Sequence, residues 1–64
     1  MITTSDWHEA GWLAGMGEAE MGYPESPEDA EIMIPVERHY DAFIEGWDEA
    51  MIYLKKQRIL NDDQ

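Results

Sequence analysis

The chain contains no cysteine, which excludes disulfides and thiolate metal sites. Bases are nearly as scarce. Four Lys and Arg stand against 15 Asp and Glu, a formal net charge of −11 over 64 residues. Such a surface repels nucleic acid and anionic membrane and is drawn to basic surfaces. No apolar run approaches the roughly 20 residues needed to cross a bilayer. The segment from Met1 to Asp6 has neither the basic flank nor the hydrophobic stretch of a signal peptide, so a cytoplasmic setting is expected. Catalytic signatures are missing as well. There is no Gly-rich phosphate loop after a strand, no His-Glu-x-x-His and no Ser/His/Asp set. His8 and His39 read as helix-face residues, and Asp62 and Asp63 sit in a tail expected to be too mobile for a metal. We therefore expect no enzymatic activity, metal or cofactor. Gly11-x-x-x-Gly15 would be a membrane-dimer motif only in an apolar helix, which this is not.

What remains is a short chain rich in large apolar side chains. Residues 1–64 make one domain, and a domain of this length buries only about 60% of its unfolded surface. Without a disulfide or metal it must rely on dense packing or self-association. Three Trp, three Tyr, one Phe and five Met provide the material and argue against disorder.

The pattern predicts an all-α fold, a small helical hairpin of two main helices with a long Pro/Gly-containing connection and one short extra helical turn. Trp7, Ala10, Ala14, Gly17 and Met21 recur at helical spacing, giving a first helix over 6–20 that opens on an Asp6/Glu9 capping pair. Ala10, Gly11, Ala14 and Gly15 form a flat strip on which another helix can lie. Gly22 is read as the cap of this helix, and Pro24 prevents its continuation. Ser26-Pro27-Glu28-Asp29 spells a cap, a first-position proline and an acidic first turn, so a helical turn is expected over 27–32. Ile32-Met33-Ile34 could alternatively be extended. The second main helix is predicted over 35–60, with a tail frayed over about 61–64. Val36, Tyr40, Phe43, Trp47, Ala50 and Leu54 form its apolar stripe. The core is expected to draw on Trp7, Ala14, Tyr40, Phe43, Trp47 and Leu54.

Charge is unevenly placed. Residues 1–54 hold 13 acids and one base, Arg38, whereas 55–64 hold Lys55, Lys56 and Arg58 against Asp62 and Asp63. Glu37, Asp41, Glu45 and Asp48 recur at spacings of four, four and three, and Glu49 broadens the row. At about 100° per residue they line a face some 120° round from Tyr40, Phe43 and Trp47. Four residues of helix rise about 6 Å, so the row resembles regularly spaced phosphates along a strand. Glu28, Asp29 and Glu31 add a second acidic zone. These eight residues are the candidate partner-binding surface, and its expected partner is the basic surface of a nucleic-acid-binding protein complex. Neither nucleic acid itself nor a membrane is an expected partner.

Two segments carry a resemblance. Gly11-Trp12-Leu13-Ala14-Gly15-Met16-Gly17 and Phe43-Ile44-Glu45-Gly46-Trp47-Asp48-Glu49-Ala50-Met51, separated by a Pro-containing connection, resemble the ribosome modulation factor family. The resemblance implies two helices in close contact around Trp47, with Gly46 and the Gly11/Gly15 strip permitting it, and it implies ribosome binding and hibernation. That family is basic, whereas Glu45, Asp48 and Glu49 here flank the shared residues. The charge reversal leads to the expectation of an acidic nucleic-acid mimic. It would be an inhibitor of phage or mobile-element type, acting in the host cytoplasm on a CRISPR effector (an anti-CRISPR) or on a restriction or repair enzyme. The alternative is a ribosome-associated stress protein that contacts basic ribosomal proteins. A third reading, a homodimer or larger assembly formed through the aromatic stripe, stays open.

Overall fold

A computed structural model of the chain describes residues 3–62. Three helices make up the fold: α1 (Thr4–Gly15), α2 (Pro27–Met33) and α3 (Glu37–Asp62). The expected all-α class is observed, with no strand among the described residues.

Each helix boundary has a local cause. α1 opens on a reciprocal capping box. The Asp6 N–H donates to Thr3 Oγ1 at 3.2 Å, and the Thr3 N–H donates to Asp6 Oδ2 at 2.9 Å. The box therefore sits three residues earlier than the Asp6/Glu9 pair expected from sequence. Thr3 provides the extended backbone that an N-cap needs, and Asp6 is already the third helical residue. At the other end α1 stops at Gly15, five residues short of the expected 20. Gly17 adopts φ +80°, its N–H donates to the Ala14 carbonyl at 3.1 Å, and the Glu18 N–H donates to the Leu13 carbonyl at 2.8 Å. That pair of bonds is a Schellman ending, so Gly17 and not Gly22 closes the helix. Gly22 serves the next turn, where the Tyr23 N–H donates to the Glu20 carbonyl and Met21 is left fully exposed.

α2 begins as its sequence spells. Ser26 caps it, accepting from the Asp29 N–H at 3.3 Å, and Pro27 takes the first position. Ile34 alone is extended, as the residue before Pro35 must tend to be. α3 begins two residues later than expected, with the His39 and Tyr40 N–H groups both donating to the Val36 carbonyl. It continues through 61 and 62, where a frayed tail was expected; residues 63 and 64 lie outside the described residues.

The packing corrects the hairpin. Trp7 stacks on His39, Gly11 abuts Phe43, and Gly15 abuts Trp47 and Ala50. Residue numbers rise together on both sides of the contact, so α1 and α3 run in the same direction. A hairpin would make one number fall as the other rose. The chain must therefore return along the length of α1, about 18 Å for 12 residues, before α3 can start. The 16–36 segment makes that return, and α2 packs on α3 on the way.

The contact between α1 and α3 is unusually intimate. A Cβ at Gly11 would overlap the Phe43 carbonyl oxygen and lie 2.7 Å from its carbon. A Cβ at Gly46 would overlap the His8 carbonyl oxygen and lie 2.8 Å from the Trp12 nitrogen. Both obstacles are backbone, so neither can rotate away. Around this crossing Ala10, Ala14, Ala30, Ile34 and Phe43 form the buried core, and Trp7, Tyr23, Tyr40, Ile44 and Trp47 pack against it half-buried. Trp7 meets Tyr23 edge-on at 5.5 Å. Small residues at the crossing and aromatics at its rim thus stabilise the domain together, since close approach multiplies dispersion contacts and the rings exclude water.

The Gly11→Ala variant tests the crossing. Alanine gains about 1 kcal/mol of helix propensity, but forcing a methyl into backbone costs about 1–3 kcal/mol or more. We expect a net loss of stability in urea unfolding. Gly17→Ala meets open space and bears only the cost of positive φ, about 1–2 kcal/mol. No loss in Gly11→Ala would show the crossing to be slack.

Candidate acidic interface

Glu37, Asp41, Glu45 and Asp48 are all exposed on α3, while Phe43 and Gly46 on its other side are buried against α1. The face expected from spacing therefore exists as an open row backed by the helix crossing. The row is unfavourable to the helix that carries it. Like charges three or four residues apart cost roughly 0.2–0.5 kcal/mol per pair, so the three successive pairs cost about 0.6–1.5 kcal/mol together. Backbone contact at Gly46, inside the row, fixes the helix against that repulsion.

Glu49 stands differently. It is exposed but lies beside α1, where its carboxylate pairs with His8 Nε2. This contact ties Glu49 to the α1–α3 packing more than to the open row. Glu28 and Asp29 are exposed in the first turn of α2, where they complement the positive end of the helix dipole. Glu31 is exposed and lines, with Ile34, Pro35, Glu37 and Tyr40, a shallow groove at the α2–α3 junction. The groove joins the two acidic zones through Glu31 and Glu37, which the sequence had left as separate segments.

Of the expected core residues, Phe43 and Ala14 are buried, and Trp7, Tyr40 and Trp47 are half-buried. Leu54 is not in the core; it is 37% exposed. The apolar stripe of α3 runs on past the point where its partner stops, because α1 ends at Gly15 opposite Ala50. Beyond Ala50, Trp12 still meets Tyr53, ring centroids 5.5 Å apart.

Asp6, Glu9 and Glu20 line a second cleft with Ala10, Leu13 and Tyr23. Asp6 and Glu9 were not among the expected partner residues. Their signal was the three-residue spacing of two acids on α1, which the capping interpretation absorbed. The Asp6 carboxylate is held below its ordinary pKa of 3.8, first by the Thr3 backbone N–H and then by the Thr3 hydroxyl. Among the described residues no group of three or more His, Asp or Glu is placed to hold a metal ion. No helix among them is long and apolar enough to cross a membrane.

Compared with protein-family models, curated proteins and solved structures, the chain matches none. The resemblance to the ribosome modulation factor family thus stands on residues 11–17 and 43–51 alone.

The capping box gives a pH test. A carboxylate with a lowered folded pKa stabilises the fold above its ordinary pKa, and that stabilisation is lost as pH falls through the lowered value. Asp6→Ala should therefore unfold at lower urea than the parent at pH 7. The gap should close as pH drops below 3.8. A gap independent of pH would assign the effect to something other than the ionised cap.

Proposed function

We propose that this chain is an acidic inhibitor that mimics nucleic acid, of phage or mobile-element type, and that it blocks a host DNA- or RNA-binding complex. A CRISPR effector, which would make it an anti-CRISPR, or a restriction or repair enzyme is the kind of target such a surface fits. The observation that carries this reading is the exposed row Glu37, Asp41, Glu45 and Asp48 on a helix locked from behind at Gly46. A fixed array of carboxylates with about 4.5–6 Å of rise between members offers a groove built for phosphates a charge pattern it already accepts. Glu31 and Glu37 at the α2–α3 junction extend the array towards Glu28 and Asp29. The fold tolerates the repulsion in this row, and a role that needs the charges accounts for their presence.

Rigidity distinguishes mimicry from simple solubility. Scattered charges keep a protein in solution equally well, whereas recognition requires the charges to hold their spacing. The backbone contacts at Gly11 and Gly46 provide that fixity without using any of the four carboxylates.

Asp41→Lys combined with Glu45→Lys tests the reading in a pull-down from host lysate at low and high salt. The parent should capture a nucleic-acid-processing complex, and capture should weaken at high salt. The double variant should lose at least about tenfold in affinity while its helicity, by circular dichroism, stays unchanged. Undiminished capture by the double variant would remove the proposal. Co-sedimentation of the parent with ribosomes would favour the second reading, a ribosome-associated stress protein, to which the residues 11–17 and 43–51 resemblance points.

A further inference from the structure

The outer end of α3 runs past the end of α1, with Tyr53 still reaching Trp12. Every residue from Met51 to Asn61 is exposed, and Ile52, Ile59 and Leu60 are 54%, 54% and 62% open to solvent. Helical geometry puts Ile52, Lys56 and Ile59 on the same side of α3 as Asp41, Glu45 and Asp48. That side is acidic at its start, apolar at Ile52 and basic beyond.

The order of charges about Ile52 is antisymmetric. Asp48 and Glu49 precede it by four and three residues, and Lys55 and Lys56 follow it by three and four. Neither lysine has an acidic residue three or four positions away on its own helix. Neither takes part in an ion pair among the described residues, where the carboxylate partner found is that of His8.

We infer that this side of α3 docks a second copy of the same chain, laid antiparallel about a two-fold axis at Ile52. A two-fold contact is isologous, so each pairing occurs twice. Ile52 meets Ile52 of the second copy, and Asp48 meets Lys56 of the second copy. Glu49 and Lys55 flank them, with Glu49 shared with His8. A parallel arrangement would set Asp48 on Asp48 and Lys56 on Lys56, so the charges select one orientation. The pairing also covers apolar surface that the small core leaves in water. The net charge of each copy opposes association in general, and this face is where opposite signs meet in register. The second copy covers the Asp48 end of the acidic row, so dimerisation competes with any partner bound along that row, while sedimentation of the chain alone tests the pairing separately from the proposed target. The contact lies on the outer end of α3 and not on the buried aromatic stripe.

Sedimentation equilibrium of the full chain, from micromolar to near-millimolar concentration, reads the proposal directly. The parent should show a monomer–dimer equilibrium. Ile52→Asp should remain monomeric throughout with an unchanged circular dichroism spectrum, since Ile52 contributes nothing to the core. Asp48→Lys, losing one acid and gaining one base, moves the net charge from −11 to −9. Bulk repulsion alone would then predict stronger association, whereas the pairing predicts dimerisation weakened by about tenfold or more. Combining Asp48→Lys with Lys56→Asp should restore it. Ile52→Cys, carrying the sole thiol of the chain, should cross-link to itself on oxidation, which requires Cα atoms within about 7 Å. A parent that stays monomeric at every concentration would overturn the inference. So would dimerisation unaffected by Ile52→Asp, or a charge swap that fails to recover.

Discussion

Backbone lies directly against backbone where α1 crosses α3, and the remaining features of the domain follow from that contact. Gly11 admits the Phe43 carbonyl and Gly46 admits the His8 carbonyl, so the two helices approach more closely than any side chain would allow. A chain of 64 residues has little apolar surface to bury, and small separations compensate by raising the number of atoms in contact. The aromatic rings then need only cover the edges of the crossing, which is where Trp7, Tyr23 and Trp47 are found.

Electrostatics acts against this framework and is confined by it. The acidic residues of α3 repel one another along the helix, and the overall charge favours expansion of the chain. The described structure sets few cations against them: Arg38 stands within the span of the row, and the lysines lie at the far end of α3. The fold therefore depends on sterics and burial for stability and leaves most carboxylates exposed to solvent. A protein arranged in this way keeps its shape through contacts that salt does not screen, while its outward attraction depends on salt.

Some of this was legible in the sequence, for identifiable reasons. α2 could be read because Ser26, Pro27, Glu28 and Asp29 each occupy the position their chemistry favours. The acidic row could be read because its spacing is uninterrupted and its exposure follows from the apolar stripe opposite. The end of α1 could not, since spacing keeps Gly17 within the helix and Gly22 reads as its cap, whereas the backbone bonds to the Leu13 and Ala14 carbonyls end it at Gly17. The direction of α1 relative to α3 was hidden for another reason. Periodicity tells which face of a helix is buried but not which way its neighbour runs, and a connection as long as 16–36 permits either. Leu54 misled for a related reason: its place in the stripe is right for a core residue, but α1 is too short to cover it.

The shared direction of α1 and α3 determines how the domain would respond to force. The chain enters at the end where both helices begin and leaves at the far end of α3, so tension on its two ends would drag α1 and α3 past each other lengthwise. Gly11 and Gly46 would then bear load simultaneously, each locked against a carbonyl, in shear. An antiparallel pair of the same size would instead peel open one turn at a time.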